Sequence, residues 1–209
     1  MVLIVVGYYL HWPTTRVLDL LAAGKALGGH FFTFVATGLF GGVLSEACRI
    51  TLLQGGRWEK RNGDDMRFKF LLMGSCGVLA DLFYGALGHL LGDTPSVGLV
   101  IKKTFIDQFI YSPFLAVPIM AIVIHWRNSG YRRVPGFFNA AFVEEEVVPL
   151  AVTNACFWLP VVAALYSLPL PLQVPLFLLA SSIWGLILIS VAARKNGQTQ
   201  PTADIAQAH

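Results

Sequence analysis

Five apolar stretches punctuate the chain, at roughly 31–53, 69–92, 104–126, 147–168 and 171–193. A helix that crosses a bilayer needs about 20 mostly apolar residues, and each stretch meets that length. The expected fold is therefore all-α, an integral membrane helical bundle. Five spans are expected, with four as the alternative, because Leu168, Pro169, Leu170 and Pro171 leave almost no polar loop between the last two stretches. Composition agrees: 56% of the residues are apolar, 13% are charged and the mean hydropathy is +0.64, outside the range of a water-soluble domain.

Residues 8–26 mix His11, Trp12, Arg16, Asp19 and Lys25 with apolar side chains, the pattern of an amphipathic helix lying at the headgroups. Residues 1–193 form one expected membrane domain, and 194–209, rich in Gln, Thr, Pro and Ala, an expected disordered tail. The N-terminal apolar run is too short to span and has neither a basic leader nor a cleavage site, so a signal peptide is not expected.

With five spans, the basic residues divide four against ten. Arg16, Lys25, Lys102 and Lys103 lie on one side, and Arg57, Lys60, Arg61, Arg67, Lys69, Arg127, Arg132, Arg133, Arg194 and Lys195 on the other. The second set marks the cytoplasmic or matrix side. Basic residues confined to loops are a topology signal, and no nucleic-acid partner is expected. Trp12, Trp58 and Trp126 stand at span ends, where aromatic belts form. Cys48, Cys76 and Cys156 are scattered through apolar stretches and the five histidines are equally dispersed, so neither a metal nor another cofactor is expected.

Ionisable groups inside a span are costly and each asks for a partner. Glu46 and Arg49, three apart, share a helix face and can neutralise each other. Asp81 stands mid-span with nothing basic within a helical turn in sequence, on a face with Gly77, Tyr84, Gly85 and Gly88. It is read either as a structural hydrogen-bonding group or as a solute contact. Asp107 and Gln108 follow Lys103, so a Lys103–Asp107 pair at the membrane surface is available. Pro113 and Pro118 should bend that span. Gly38 and Gly42 form a GxxxG packing motif. Gly74, Ser75, Cys76 and Gly77 are the nearest approach to a nucleophile turn, but the serine comes one place too early and no catalytic role is expected.

From the second span onward the chain resembles the Mpv-seventeen family, also called the peroxisomal membrane protein of twenty-two kilodaltons family. Lys103, Asp107, Gln108 and Pro113 reproduce that family's Lys, Asp-Gln and Pro spacing in full. Gly77, Tyr84 and Leu87 keep half of its second-span motif, in which Asp81 replaces a His. Pro169 and Trp184 keep a fifteen-residue interval, while Val161, Ala164 and Leu165 stand where the family has polar groups. Glu46 is the counterpart of the acid in the family's first-span Gly-Asp.

The resemblance implies a weakly selective small-solute pore in the mitochondrial inner membrane, or alternatively in a peroxisomal or other organellar membrane. Glu46, Asp81, Tyr84, Asp107 and Gln108 are then the cleft-facing candidates, and Gly38, Gly42, Gly77, Lys103, Pro113, Pro169 and Trp184 the structural motif. The partners expected are membrane lipid and either further copies of the chain or the subunits of a larger complex. The loss of fourth-span polar groups gives the rival reading, a non-catalytic accessory subunit of a respiratory or ATP synthase type assembly. Under it, Glu144, Glu145 and Glu146 and the basic loop from Arg57 to Arg67 would touch partners; otherwise they are solvated loop charge.

Overall fold

The computed structural model describes residues 9–10, 16–94, 96–132 and 139–187. Among these residues it is all-helical, with five helices long and apolar enough to cross a membrane: α1 (Arg16–Leu53), α2 (Asn62–Leu91), α3 (Val97–Asn128), α4 (Ala140–Tyr166) and α5 (Leu170–Ile187). Apolar side chains lie open along these helices, Leu27 at 93% exposure, Leu90 at 79% and Phe114 at 78%. Such surfaces are stable only against hydrocarbon, and the chain is a membrane protein.

The expected amphipathic helix and first span run together as α1, broken at Gly29, whose backbone (φ 54°, ψ −138°) only glycine adopts without strain. His11 and Trp12 lie outside the described residues, as do Arg133 and the tail with Arg194 and Lys195. α2 begins at Asn62, seven residues before the apolar run, because the polar residues Asp64, Asp65 and Arg67 already belong to its first turns. Acidic groups there favour the positive end of the helix dipole. The acidic run of Glu144, Glu145 and Glu146 is likewise not loop: it falls within the opening turns of α4, which Asn139 caps by accepting the Phe142 N–H at 2.8 Å. α4 and α5 are distinct helices joined at Ser167–Pro169, where Gln173 Nε2 donates to the Leu168 carbonyl at 3.1 Å.

Three stretches are wound as wider π turns: Gly38–Leu44, Asp107–Ala116 and Val143–Val147. The second contains Pro113, and the wide turn relieves the clash between the proline ring and the carbonyl one turn back. Pro118 falls in the first turn of the α-helical segment that follows, where its missing N–H costs little.

The residues form two compact units, Met1–Thr33 with Cys76–Phe177, and Phe34–Ser75 with Leu178–His209. In the first, Val162, Leu165, Leu168 and Leu176 are almost wholly enclosed, and Trp158 stacks on Phe177 at 5.2 Å. In the second, α1 and α2 touch backbone to backbone. A Cβ on Gly38 would lie 2.8 Å from the Phe70 carbonyl oxygen, and one on Gly42 2.7 Å from the carbonyl carbon and oxygen of Lys69. A Cβ on Gly74 would lie 2.8 Å from the Phe34 carbonyl oxygen, and one on Gly185 of α5 would run into Gly41 and Ser45. These are the small-residue contacts that hold helices together where the surrounding lipid is as apolar as the side chains.

Gly42→Ala should therefore force α1 from α2 and lower the unfolding midpoint of the purified protein in detergent, a loss of about 1–3 kcal/mol. Gly98→Ala, whose Cβ would meet nothing within 4 Å, should leave the midpoint unchanged or raise it slightly. Equal midpoints for the two variants would contradict the close contact.

Candidate functional site

Within the first unit, α2 carries Asp81 and α1 brings three groups to it across the Gly29 break. Lys25 Nζ forms an ion pair with Asp81 Oδ2, His30 Nδ1 lies 2.7 Å from the same oxygen, and Thr33 Oγ1 lies 3.0 Å from it. The carboxylate accepts, so His30 carries its proton on Nδ1. Asp81 is thus not without a cation; its partner comes from another helix. Lys25, expected on the headgroup face of an amphipathic helix, is turned instead toward α2. Thr33 is wholly buried and also lies 3.3 Å from the Gly29 carbonyl, which binds the break in α1 to the carboxylate.

One turn along α2, Tyr84 is enclosed and packs edge-on against Tyr166 of α4 at 5.6 Å and against Phe177 at 6.0 Å. Phe83 stacks on Tyr111 of α3 at 4.0 Å. Tyr166 leads to the second carboxylate: its hydroxyl donates to Asp107 Oδ2 at 2.8 Å. Gln108 Nε2 donates to Asp107 Oδ1 at 2.9 Å, and Ser112 Oγ lies 3.4 Å from that oxygen. Asp107, Gln108 and Ser112 are all buried and all belong to the wide-turned segment of α3.

The expected Lys103–Asp107 pair is absent from this arrangement. Asp107 turns to the Tyr166 hydroxyl, while the Lys103 ammonium lies over the Tyr166 ring, 5.8 Å from its centroid. Residues four apart on a helix can meet, but a phenol on the facing helix offers each of them a contact that does not compete with the other.

In the second unit, Glu46 is wholly buried and its two oxygens are divided between two cations. Arg49 donates to Oε1, from Nε at 2.9 Å and from Nη2, and Lys69 Nζ donates to Oε2. Arg49 Nη2 continues to Asn62 Oδ1 at 3.2 Å, Asn62 Nδ2 reaches Gln54 Oε1 at 2.8 Å, and Asp65 Oδ2 lies 3.5 Å from Arg49. Lys69 is therefore a half-buried helix residue and not loop charge. Glu46 thus belongs to a closed network within the second unit, whereas Asp81, Tyr84, Asp107 and Gln108 belong to the first.

Of the five cleft candidates, the structure joins Tyr84, Asp107 and Gln108 through Tyr166, while Asp81 takes its partners from α1 and Glu46 belongs to the network of the second unit. Sequence reasoning missed Lys25, His30, Thr33 and Tyr166, all distant in sequence from their partners. A signal for Lys25 existed: a long cation among Leu, Ala and Gly asks for an anion wherever the chain can supply one.

No protein-family model, curated protein or solved structure matches the chain. The likeness to the Mpv-seventeen family rests on the residues quoted above, chiefly Lys103, Asp107, Gln108 and Pro113.

Glu46→Ala would leave Arg49 and Lys69 facing each other across an emptied site. The expected loss is about 3–5 kcal/mol, the usual penalty for orphaning one side of a buried ion pair. Arg49→Ala should cost less, since Lys69 still answers Glu46. Urea or SDS unfolding of both variants in detergent checks the order, and the reverse ranking would refute the reading of Glu46 as the hub.

Proposed function

We propose that this chain is a diverged relative of the Mpv-seventeen family and acts as a weakly selective conduit for small polar solutes, with the mitochondrial inner membrane as its first expected home. The polar and aromatic interior of the first unit, centred on Asp107, is the proposed path lining. The observation that carries this reading is the company Asp107 keeps. Among the described residues, no Lys, Arg or His nitrogen forms an ion pair with it, and it accepts only from Tyr166, Gln108 and Ser112.

A carboxylate inside a span is expensive, and a scaffold has no use for one that lacks a counter-charge. Asp81 and Glu46 differ on this point, because each is neutralised by cations from its own unit. The wide turns over Asp107–Ala116 add to the argument, since such interruptions recur where helices line sites. Asp107 and Gln108 are the lining residues, Tyr84 is the packed wall behind them, and Asp81 holds α1 to α2.

The accessory-subunit reading draws its support from the Glu46 network, which is saturated and needs no solute. The two readings separate in liposomes containing the purified protein. Swelling in glycerol should exceed that of protein-free liposomes, and Asp107→Leu should reduce it several-fold while Asp81→Asn, if folded, reduces it less. Swelling equal to that of empty liposomes, together with fixed co-migration of the native protein with a large complex, would replace the conduit reading by the structural one.

A further inference from the structure

The loop that joins α1 to α2 in the second unit is tied at both ends and charged in the middle. At the α1 end the Gly56 N–H donates to the Ile50 carbonyl at 2.9 Å and the Arg57 N–H to the Gln54 carbonyl at 3.2 Å, a reversal that Gly55 (φ 60°) and Gly56 (φ 77°) permit. At the α2 end Asn62 is wholly buried. Its side chain donates to Gln54 Oε1 at 2.8 Å and its N–H to the Glu59 carbonyl at 3.0 Å, which closes the loop on itself. Residues 57–61 are held outward as a result, and all five are exposed. The Trp58 ring leans toward the start of α2, where a Cβ on Gly63 would lie 4.0 Å from Trp58 Cζ2.

From Glu46 to Lys69 the chain has six basic and four acidic residues, an excess of two positive charges. The ion pairs show where that excess sits. Arg49 and Lys69 answer Glu46, Arg61 lies 3.5 Å from Asp65, and Arg67 lies 3.9 Å from Asp64. Arg57 and Lys60 remain, with no carboxylate of the described residues within ion-pair distance. The one other acid, Glu59, attracts Arg49 electrostatically from beyond that distance. Immediately before the loop, Leu52 and Leu53 lie open at 75% and 62% exposure, so the two unanswered cations stand beside bare apolar surface at a span end.

We propose that this loop is a docking site for an anionic phospholipid, whose phosphodiester lies between Arg57 and Lys60 beside Trp58 while an acyl chain runs along Leu52 and Leu53. The site does not depend on the conduit reading. A guanidinium matches phosphate oxygens two at a time, and an ammonium adds a compact second charge. The indole belongs at the headgroup level, between the two kinds of surface. A free phosphate would answer the cations and leave the leucines bare, and an acidic protein segment would do the same, since the leucines lie within the span. Only an amphiphile meets both. The ties at Gln54 and Asn62 keep the loop in its binding shape before the lipid arrives, which lowers the ordering cost of the contact.

The test uses the full chain in neutral detergent, with phosphatidylglycerol or phosphatidylcholine added and bound lipid counted by native mass spectrometry. Wild-type protein should retain phosphatidylglycerol in preference to phosphatidylcholine. The double variant Arg57→Gln/Lys60→Gln should weaken phosphatidylglycerol binding by at least about tenfold, as expected for two basic residues at a lipid surface. Arg67→Gln, which removes an equal charge already paired with Asp64, should change it less than twofold. In a second measurement on wild-type protein, phosphatidylglycerol should slow acetylation of Lys60 several-fold and leave the exposed Lys102, at the opposite end of the spans, unaffected. Glycerol 3-phosphate at the same concentration should protect neither.

Unchanged lipid binding by the folded double variant overturns the proposal and leaves the loop to an acidic protein surface. An equal loss in Arg67→Gln overturns it in favour of unspecific attraction to net charge. The acetylation result decides the matter even where the double variant fails to fold: protection of Lys60 by phosphatidylglycerol alone retains the site, while equal protection by glycerol 3-phosphate, equal protection of Lys102, or no protection removes it.

Discussion

Hydrocarbon offers no hydrogen bonds, so a charge inside a span is costly unless a neighbouring group answers it, and two span carboxylates of this protein, Asp81 and Glu46, are answered by cations of the chain. The answers come from helix to helix. Asp81 on α2 gathers Lys25, His30 and Thr33 from α1 onto a single oxygen. Glu46 on α1 divides its oxygens between Arg49 of its own helix and Lys69 of α2. Each network fixes one helix against another more specifically than apolar contact can, because leucine packs against lipid as readily as against a neighbouring helix.

The glycines make those networks reachable. Gly38, Gly42 and Gly74 remove the side chains that would hold the α1 and α2 backbones apart, and at that separation Lys69 extends to Glu46. Packing and electrostatics are one device here: the small residues set the distance, and the ion pair sets the register. In the first unit, aromatic rings take over the spacing role. Tyr84 and Tyr166 meet edge to face, and the Tyr166 hydroxyl then reaches Asp107.

The five spans were legible because hydrophobic length is a one-dimensional property, and a window of about 20 residues reports it directly. The GxxxG contact was legible for a similar reason, since a spacing of four names a helix face whatever the partner. Element ends were less so: α2 starts at Asn62 because Asp64, Asp65 and Arg67 are helical without being apolar. The partners of Asp81 were not legible at all. Lys25 is 56 residues away, and nothing in periodicity links a cation in one helix to an acid in the next. The Lys103–Asp107 pair shows the opposite failure, in which local spacing suggested a bond that a tyrosine 59 residues beyond Asp107 displaced.

The break at Gly29 has a consequence for what ties the start of α1 to the bundle. Lys25 lies before the break and Thr33 after it, yet both meet the same oxygen of Asp81, so one carboxylate of α2 holds the two sides of the joint at once. Gly29 lets the chain change direction there without unwinding the span behind it. The lysine stem can cover apolar surface while its ammonium reaches the acid. The joint in α1 is thus clamped from outside its own helix, and the direction of the segment before Gly29 is set by a residue of the next span.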